Sequence, residues 1–341
     1  MSESWTYAKA GVDLDKHRKM HEIAHEIIRR LSEELNVQVS GISTYASSIK
    51  IGNVELCLHA DGVGTKVIIL EKMNKLWVAG WDALAMNLND ICVEGFRPLA
   101  ASLYIALPKS DEESFKQIMD GAYRASIVGK CVITSGETAI MTDVLNSVDI
   151  CCFMIGLRQY NPSSIEVDDV VIGIESNGIH ANGLTLARKV LLQKFSLETY
   201  IDELGRTLGE ELSRETYIYS ELVLELYSKG LIKRAAHITG GAYSKLRRLI
   251  QDSKYDIVID NLPEPMPIFK LIQKIGNVSM YEMYRVFNMG IGMVLIASKE
   301  NVEEIFKICK RYNYKAYIVG RVERGDGNII VRAYNGEIVK Y

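Results

Sequence analysis

Short β-rich runs alternate with helical patterns along the chain, and this alternation restricts the possible folds more than any other feature of the sequence. Strands and helices that follow one another in turn indicate mixed α/β domains. In the first half the pattern predicts strands Val54–His59, Leu99–Leu107, Cys131–Thr134 and Asp149–Leu157 with helices Leu76–Val93 and Asp111–Val128.

A turn cluster at Tyr160–Ser164 (YNPSS) separates this half from a second one with the same alternation. A length of 341 residues suits two domains, at about 150 residues each. We therefore predict an α/β (α+β) protein with two mixed α/β domains, residues 1–162 and 163–341. In the second domain the pattern predicts strands Val170–Glu175, Tyr255–Asp260, Gly290–Ala297 and Ala316–Val322 with helices Gly183–Gln193, Gly209–Lys229, Ala242–Ile250 and Asn301–Arg311.

Charge and apolar patterning exclude several classes of partner. The chain has 40 Lys and Arg against 43 Asp and Glu, so it lacks the basic surface expected of a nucleic-acid or anionic-membrane binder. Its apolar runs, such as Ile150–Leu157, are far below the roughly 18 residues that a membrane helix needs. No signal peptide is apparent, and the six cysteines show no C-x-x-C pair. We therefore expect free buried thiols and a cytoplasmic location.

The segment His21–His25 (HEIAH) matches H-E-x-x-H, which places two histidines on one helix face and is typical of zinc proteases. Such an enzyme also needs a third ligand, and no downstream histidine stands at the spacing of the extended motif. The surrounding residues are rich in Lys, Arg and Glu, with His17 one turn earlier. A solvated helix face is therefore favoured over a metal site.

The segment Ala60–Lys66 (ADGVGTK) carries an acid, two glycines, a hydroxyl and a lysine directly after a predicted strand. Glycines let backbone N–H groups approach an anion, a lysine adds a point charge for phosphate, and a carboxylate suits Mg²⁺. The pattern is not G-x-x-x-x-G-K-[ST], so a P-loop is not indicated. The segment fits either a Mg²⁺–phosphate site or a tight turn with an exposed lysine.

The predicted helix Leu76–Val93 (LWVAGWDALAMNLNDICV) is apolar nearly all round, which predicts that it is buried. Its only charges are Asp82 and Asp90, and a buried carboxylate needs a cation or hydrogen-bond donors to offset its desolvation. Asn87 and Asp90 share a helix face. A metal ion or a lysine partner is therefore favoured for these acids.

Glu137 adds a third acid in Ser135–Thr138 (SGET), at the end of the predicted strand Cys131–Thr134. Ligands of α/β sheets tend to bind beyond the carboxyl ends of strands, where Asp61 is expected as well. Asp90 could join these two acids, although Glu137 alone could equally be an ordinary loop acid.

Two polar loops stand out in the second half. Ser176–Gly183 (SNGIHANG) is a tight loop that presents His180 and ends at a helix N-terminus, and His237–Gly241 (HITGG) also runs into a predicted helix. Each could also be ordinary loop structure. The residues together favour a Mg²⁺–nucleotide or phosphate site in the first half and an anion-binding surface in the second, as in an ATP-using enzyme.

The motifs of the chain resemble those of the phosphoribosylformylglycinamidine cyclo-ligase family, also called aminoimidazole ribonucleotide synthetases, of purine biosynthesis. The match runs in order from residue 7 to residue 322. The motifs that carry it are Tyr7–Asp13, Asp61–Lys66, Asn89–Asp90, Gly136–Thr138, His180–Gly183, His237–Gly241 and Glu282–Met293.

This resemblance implies an activity and an assembly. It implies ATP-dependent closure of formylglycinamidine ribonucleotide to 5-aminoimidazole ribonucleotide, with Mg²⁺ as the metal and with release of ADP and phosphate. It also implies a homodimer in which the N-terminal sheets join and ATP lies near the dimer interface. The first domain would then bind ATP and dimerise, and the second would bind substrate and phosphate.

The resemblance further implies roles for single residues. It implies that Asp61, Asp90 and Glu137 hold Mg²⁺, that Lys66 and His180 are catalytic, and that ATP or phosphate is bound by Gly62, Gly64, Thr65, Lys66, Glu137, Asn182, Gly240 and Gly241. The main task of such residues is electrostatic stabilisation of a transferring phosphoryl group.

The chain departs from the family pattern in its loops. Serines stand in Gly41–Ser47 where glycines are common, and Ala139–Thr142 replaces a segment that usually holds an acid and a proline. Other ATP-using members of the superfamily, of the selenophosphate synthetase or thiamine-monophosphate kinase type, and a catalytically silent nucleotide-sensing dimer stay as alternatives. A selenophosphate synthetase usually needs a reactive cysteine near its N-terminus, and this chain has none before Cys57.

Overall fold

The computed structural model describes residues 4–250 and 254–341. The chain divides into two compact units, Gly11–Asn161 and Pro162–Tyr341, and the described residues up to Ala10 belong to the second unit. Each unit combines helices with a mixed sheet, which confirms the predicted α/β class.

The predicted first domain, residues 1–162, includes the N-terminal segment, whereas in the structure the described residues up to Ala10 belong to the second unit. Backbone and side-chain hydrogen bonds tie it to the second unit: Trp5 N–H donates to the Gly276 carbonyl oxygen (2.9 Å), and Tyr7 N–H donates to Glu282 Oε1 (2.6 Å). The first unit therefore lies, along the sequence, between two stretches of the second.

The first unit is built around a six-stranded sheet with the order β1–β2–β3–β6–β4–β5. Neighbouring strands run antiparallel, except β4 and β5, which are parallel. The elements of this unit are α1 (Leu14–Glu34), β1 (Val39–Ser40), β2 (Ser47–Ile51), β3 (Val54–Gly62), α2 (Val67–Lys72), α3 (Trp77–Val93), β4 (Phe96–Leu107), α4 (Glu112–Gly129), β5 (Val132–Ile140) and β6 (Asp149–Arg158).

Helix α3 is the centre of the first unit and confirms the prediction of a buried helix. Every residue of α3 except Trp77 and Trp81 is buried. The helix packs on one face of the sheet and against α4. The two helices approach closely because glycines face each other's backbone: a Cβ on Gly80 would lie 1.8 Å from the Ile118 carbonyl oxygen, and one on Gly121 would lie 1.7 Å from that of Trp77.

The second unit is built around a seven-stranded sheet with the order β10–β12–β7–β13–β11–β14–β15, in which only β11 and β14 are parallel neighbours. Short 3₁₀ segments lie at Ala242–Leu249 and Lys299–Asn301, and β8 and β9 form a separate two-stranded sheet. The elements are β7 (Val170–Glu175), α5 (Leu184–Leu191), β8 (Tyr200–Ile201), β9 (Arg206–Thr207), α6 (Leu208–Leu212), α7 (Ser220–Ser228), β10 (Arg234–His237), β11 (Tyr255–Ile259), α8 (Pro267–Gly276), α9 (Met280–Val286), β12 (Ile291–Ala297), α10 (Val302–Arg311), β13 (Ala316–Arg324), β14 (Ile329–Arg332) and β15 (Ile338–Lys340).

The predicted helix Gly209–Lys229 is wrong as a single element, because the structure divides it into α6 and α7. Tertiary hydrogen bonds hold the intervening residues in a non-helical path. Asn177 Nδ2 donates to the Glu215 carbonyl oxygen (3.0 Å), and Tyr219 Oη donates to that of Glu175 (2.7 Å). The predicted helix Ala242–Ile250 is likewise a 3₁₀ segment.

Three other features predicted from the sequence have counterparts in the structure. All six cysteines are free thiols, and each is buried except the half-buried Cys151. None of the helices in the described part of the chain has the length and apolar character to cross a bilayer. The H-E-x-x-H histidines lie on α1, a helix without a buried residue, where His17 Nε2 and His21 Nε2 are 3.4 Å apart.

Candidate functional site

The Asp61–Lys66 segment leads from β3 into α2. Asp61 and Gly62 are the last residues of β3, so the strand extends beyond its predicted end and Asp61 lies within it. Gly64 opens a short 3₁₀ turn with a φ of +61°, a conformation that favours glycine. Gly62 is required for another reason, because a Cβ there would lie 2.6 Å from the carbonyl oxygen of Ile150 in β6.

The exposed part of this segment is small. Val63 is buried, with an exposed fraction of 1%, whereas the next two residues, Gly64 and Thr65, are exposed. Asp61 and Gly62 are half-buried. A ligand from solvent can therefore reach the turn itself and the end of β3.

The structure places Lys66 in the core, and its implied role in phosphate binding and catalysis stays a prediction. Its side chain is completely buried, and its Nζ lies 2.6 Å from Asp82 Oδ2 in α3, itself completely buried. An ammonium group in this environment needs the carboxylate to offset its desolvation. Asp82 thus has a lysine partner, which is one of the two alternatives predicted for the acids of α3.

A polar network on the α3 side of the sheet connects two of the implied metal ligands. Asn87 Nδ2 donates to the Asp61 carbonyl oxygen (3.2 Å), and Asn87 Oδ1 lies 2.7 Å from His59 Nδ1. His59 Nε2 faces Asp90 Oδ2 at 3.6 Å. Because Asn87 uses its amide group to donate to Asp61 and to the Ala83 carbonyl oxygen (2.8 Å), its Oδ1 accepts from the His59 Nδ1–H.

Sequence reasoning missed His59. Its only signal is its position in an alternating strand, two residues before Asp61 and therefore on the same face of β3. This shared face brings the imidazole next to Asn87 and Asp90 of α3.

Glu137 lies within β5 and not in a loop, because β5 continues to Ile140. It is exposed and pairs with Tyr104 of β4, whereas Asp61 belongs to the row of Cys152, Leu103 and Gly136. Adjacent rows point to opposite faces of a sheet. Three strand spacings, or about 14 Å at the usual 4.8 Å, also separate β5 from β3.

The three implied metal ligands are therefore not assembled within one chain. Within residues 4–250 and 254–341, no group of three or more His, Cys, Asp or Glu side chains is placed to hold a metal ion. Asp61 and Asp90 lie on the α3 side of the sheet, and Glu137 lies on the other face.

In the second unit, the Ser176–Gly183 loop buries His180. The side chain has an exposed fraction of 3%, and the backbone has a φ of +64°, which is unusual for a residue other than glycine. The Asn177 N–H donates to His180 Nε2 (2.8 Å). This bond engages Nε2 as an acceptor within the loop, and the catalytic role implied for His180 stays a prediction.

Asn288, from the segment that precedes β12, holds this loop in place. Its Nδ2 donates to the carbonyl oxygens of Gly178 (2.9 Å) and Ile179 (3.1 Å), and its Oδ1 accepts from Ser176 Oγ (3.0 Å) and from the Gly290 N–H (2.9 Å). The sequence offers Asn288 only as a residue of a glycine-containing motif and does not indicate which loop it binds.

Asn182 and the glycines of the second polar loop do meet. The Asn182 Oδ1 lies 3.1 Å from the position of a Cβ on Gly240, and Gly241 has a φ of +91°. Lys245 reaches back to the same loop, where its Nζ donates to Thr239 Oγ1 (2.9 Å). All of these residues except Thr239 are half-buried, so the cluster combines accessible backbone, an amide and a cation. The sequence did not single out Lys245.

An aromatic cluster packs around His180. The rings of Tyr217 and Tyr219 lie 6.1 Å and 6.3 Å from the imidazole, and Tyr314 contacts both tyrosines at 5.2 Å. Burial raises the pKa of Tyr219 well above its usual value, so its hydroxyl stays protonated as the donor to Glu175. Gly292 faces this cluster, since a Cβ there would lie 2.0 Å from Tyr219 Oη.

Two family models match the chain, and both describe AIR synthase related proteins. The N-terminal domain model matches residues 43–158, and the C-terminal domain model matches residues 166–332. These matches cover most of the chain and fall in the two units described above. The chain therefore belongs to the family of AIR synthase related proteins.

Curated relatives indicate which AIR synthase related proteins this chain resembles in sequence. A phosphoribosylformylglycinamidine cyclo-ligase of Saccharolobus solfataricus is 40% identical over 337 residues, which covers 98% of each chain. One of Methanocaldococcus jannaschii is 38% identical over 353 residues, with coverage of 98% of this chain and 97% of the relative. Within its family the chain falls with the phosphoribosylformylglycinamidine cyclo-ligases, ATP-dependent ligases of purine biosynthesis, as its motifs predict.

Solved structures share the fold at lower sequence identity. Thiamine-monophosphate kinase from Aquifex aeolicus has a TM-score of 0.61 at 19% identity and covers 92% of this chain and 97% of its own. Hydrogenase maturation protein HypE has a TM-score of 0.60 at 14% identity, with coverage of 85% and 88%. At these identities the similarity supports the fold alone.

Proposed function

We propose that the chain catalyses the ATP-dependent cyclisation of formylglycinamidine ribonucleotide to 5-aminoimidazole ribonucleotide. The observation that carries this proposal is the 40% identity over 98% of both chains with a relative that bears the cyclo-ligase name. The formyl oxygen of the substrate takes the γ-phosphoryl group of ATP, and ADP leaves. The amidine nitrogen then attacks the formyl carbon, which carries the phosphorylated oxygen. The ring closes, and inorganic phosphate departs with the former formyl oxygen.

In the first unit, the exposed turn and its neighbouring acids are proposed to bind ATP. The backbone of Gly64 and the hydroxyl of Thr65 are accessible to phosphate oxygens. Mg²⁺ is usually held by one or two carboxylates together with phosphates, which fits Asp61 and Asp90 on the α3 side of the sheet. When bound, the ion neutralises charge on the transferring phosphoryl group.

In the second unit, Asn182, Gly240, Gly241 and Lys245 are proposed to bind the phosphate of the ribonucleotide substrate. A glycine backbone, an amide and a lysine within one half-buried cluster suit a dianionic group. His180 lies under this surface as a buried part of the loop, so its proposed role is to support Asn182 and not to transfer protons.

A homodimer is proposed from the uncovered face of the first unit's sheet. Large apolar side chains on the face away from α3 are exposed, with exposed fractions of 67% for Leu58, 60% for Ile51 and 43% for Phe153. An apolar sheet face of this kind needs a covering partner, and a second copy of the same sheet fits it. Glu137 lies on this face, so its proposed contact with the nucleotide belongs to the dimer.

The dimer proposal is tested by analytical ultracentrifugation of wild type and of Leu58→Glu. We expect a dimer for wild type and a shift to monomer for the variant, because a charge is placed in the interface. Val144→Glu is the matched control, since Val144 is as exposed (68%) but lies outside the sheet. A monomeric wild type, or equal behaviour of the two variants, contradicts the proposal.

The catalytic proposal is tested by mixing the purified chain with ATP, Mg²⁺ and formylglycinamidine ribonucleotide. We expect 5-aminoimidazole ribonucleotide and ADP in equal amounts, detected by diazo coupling of the amine and by a coupled ADP assay. An absence of product, with substrate that a known cyclo-ligase converts, contradicts the proposal. Phosphoryl transfer to thiamine monophosphate would favour the kinase alternative. A cytoplasmic location is proposed together with this role.

A further inference from the structure

The Asp61–Lys66 segment is fastened to α3 at both of its ends. At one end Asn87 Nδ2 donates to the Asp61 carbonyl oxygen (3.2 Å). At the other end Lys66 Nζ lies 2.6 Å from Asp82 Oδ2. Both anchors on α3 are completely buried, so they are shielded from competition by water.

The residues between these anchors are the ones that solvent can reach. Val63 is buried, and Gly64 and Thr65 are exposed in the 3₁₀ turn that Lys66 completes. Lys66 also leads directly into α2, so its side chain fixes the direction in which the chain leaves the turn. The exposed turn is thus held in position by buried side chains.

The same geometry separates Lys66 from a ligand. Moving its ammonium group to a bound phosphate would separate this group from the Asp82 carboxylate in the core and break the buried ion pair. Breaking a buried ion pair in this way typically shifts a folding equilibrium by roughly 150- to 5,000-fold. A phosphate contact would have to offset this loss at every turnover, whereas the turn already offers Thr65 to the phosphate at the surface.

We propose that Lys66 and Asp82 are positioning residues, which set Gly64 and Thr65 for a nucleotide phosphate, and that Lys66 does not contact ATP. The proposal rests on the proposed ATP-dependent function of the turn. It assigns Asp82 a role that no motif gives it. It also reassigns the lysine of the Asp61–Lys66 motif from ligand binding to support of the ligand-binding backbone.

The first test is amine labelling of the wild-type protein, with acetic anhydride and mass spectrometry, with and without MgATP. We expect Lys66 to be labelled at least about tenfold more slowly than the exposed Lys72 in both conditions, because its amine is buried and paired. Rapid labelling of Lys66 without nucleotide, together with protection by MgATP, would overturn the proposal.

The second test is a mutant cycle of Lys66→Met, Asp82→Leu and the double variant, with Lys72→Met as the matched control. Each single variant removes one member of a buried ion pair. We therefore expect the KM for ATP to rise by roughly tenfold or more and the KM for formylglycinamidine ribonucleotide to change by less than about twofold. The double variant is expected to recover the KM for ATP to within about threefold of wild type, because a buried pair can be replaced by apolar side chains of similar volume.

The outcomes distinguish a failure of this proposal from a failure of the proposed cyclo-ligase function. A folded double variant that stays as impaired as Lys66→Met shows that the lysine makes a contact with the reacting groups, and this overturns the proposal. Single variants that do not fold leave the labelling result to decide. Lack of cyclo-ligase activity in wild type would contradict the proposed function, while slow labelling of Lys66 would still show the buried pair.

Discussion

Gly292 offers a sharp test of the structure around His180, because β12 passes directly beneath the tyrosine cluster at this residue. Gly292 lies at the register shift between Ile291 and Met293 in the pairing of β12 with β7. A Cβ at this position would stand 2.0 Å from Tyr219 Oη and 2.8 Å from His180 Cε1. The substitution Gly292→Ala therefore forces both rings to move.

The size of the effect follows from these distances. Ordinary contacts begin near 3.4 Å, so the Tyr219 hydroxyl has to retreat by roughly 1.4 Å. This movement breaks its 2.7 Å hydrogen bond to the Glu175 carbonyl oxygen in the core. An unsatisfied buried polar group costs about 1–3 kcal/mol, and overpacking costs about another 1–3 kcal/mol. We expect Gly292→Ala to lower the free energy of unfolding by about 2–6 kcal/mol.

The assay is urea unfolding followed by circular dichroism, with Gly173→Ala as the control. Gly173 lies in the adjacent strand β7, where the atoms nearest to an added Cβ would be side-chain carbons of Val319 (2.9 Å) and Ile291 (3.1 Å). We expect the control to lower the free energy of unfolding only by the cost of overpacking, about 1–3 kcal/mol. Tyr219→Phe in the Gly292→Ala background should recover part of the loss, because it removes the clashing oxygen. Equal losses in both glycine variants, without this recovery, would refute the reasoning.

Three further measurements test other parts of the molecule. The hydrogen bond from Arg158 lowers the pKa of Glu55, so the stability that Glu55 adds is present above its unfolded pKa and is lost as the pH falls through its folded pKa. The stability difference between wild type and Glu55→Gln, from urea unfolding, should therefore shrink below about pH 4.5; an equal difference at pH 7 and pH 3 contradicts this. Burial, and then the charges of Asp61 and Asp149, raise the pKa of Cys151, so Asp61→Asn should accelerate its alkylation by iodoacetamide at pH 8, whereas an unchanged rate argues against their proximity. Lys245→Met should raise the KM for formylglycinamidine ribonucleotide by roughly tenfold and leave the KM for ATP nearly unchanged, and the reverse pattern would move Lys245 to the nucleotide site.

Elements with a strong local pattern could be predicted well from the sequence. Helix α3 begins within one residue of its predicted start because its long apolar run leaves few alternatives, and β7 has its predicted bounds. The predicted helix Gly209–Lys229 failed because its break depends on hydrogen bonds from Asn177 and to Glu175, which are distant in sequence. Local propensity carries no information about such partners.

The residue types of the candidate site could be predicted from the sequence, but the groups that their side chains face could not. The sequence Gly-Thr-Lys has the same composition whether the lysine faces a phosphate or Asp82, and only the fold decides between them. The position of Glu137 could not be predicted either. Strand β5 is longer than expected, so that Glu137 is a strand residue on the opposite face from Asp61 and not a loop acid. His59 had too weak a signal, since a single histidine in a strand is common in structural roles.

The attachment of the N-terminal segment to the second unit has a consequence for biosynthesis. Trp5 and Tyr7 are synthesised before the first unit, yet their partners Gly276 and Glu282 are made roughly 270 residues later, after that unit. At about 5–20 residues per second, this interval lasts roughly 14–54 seconds, ample time for the first unit to complete its own sheet. The contacts of Trp5 and Tyr7 with the second unit can thus form only after the first unit has been synthesised.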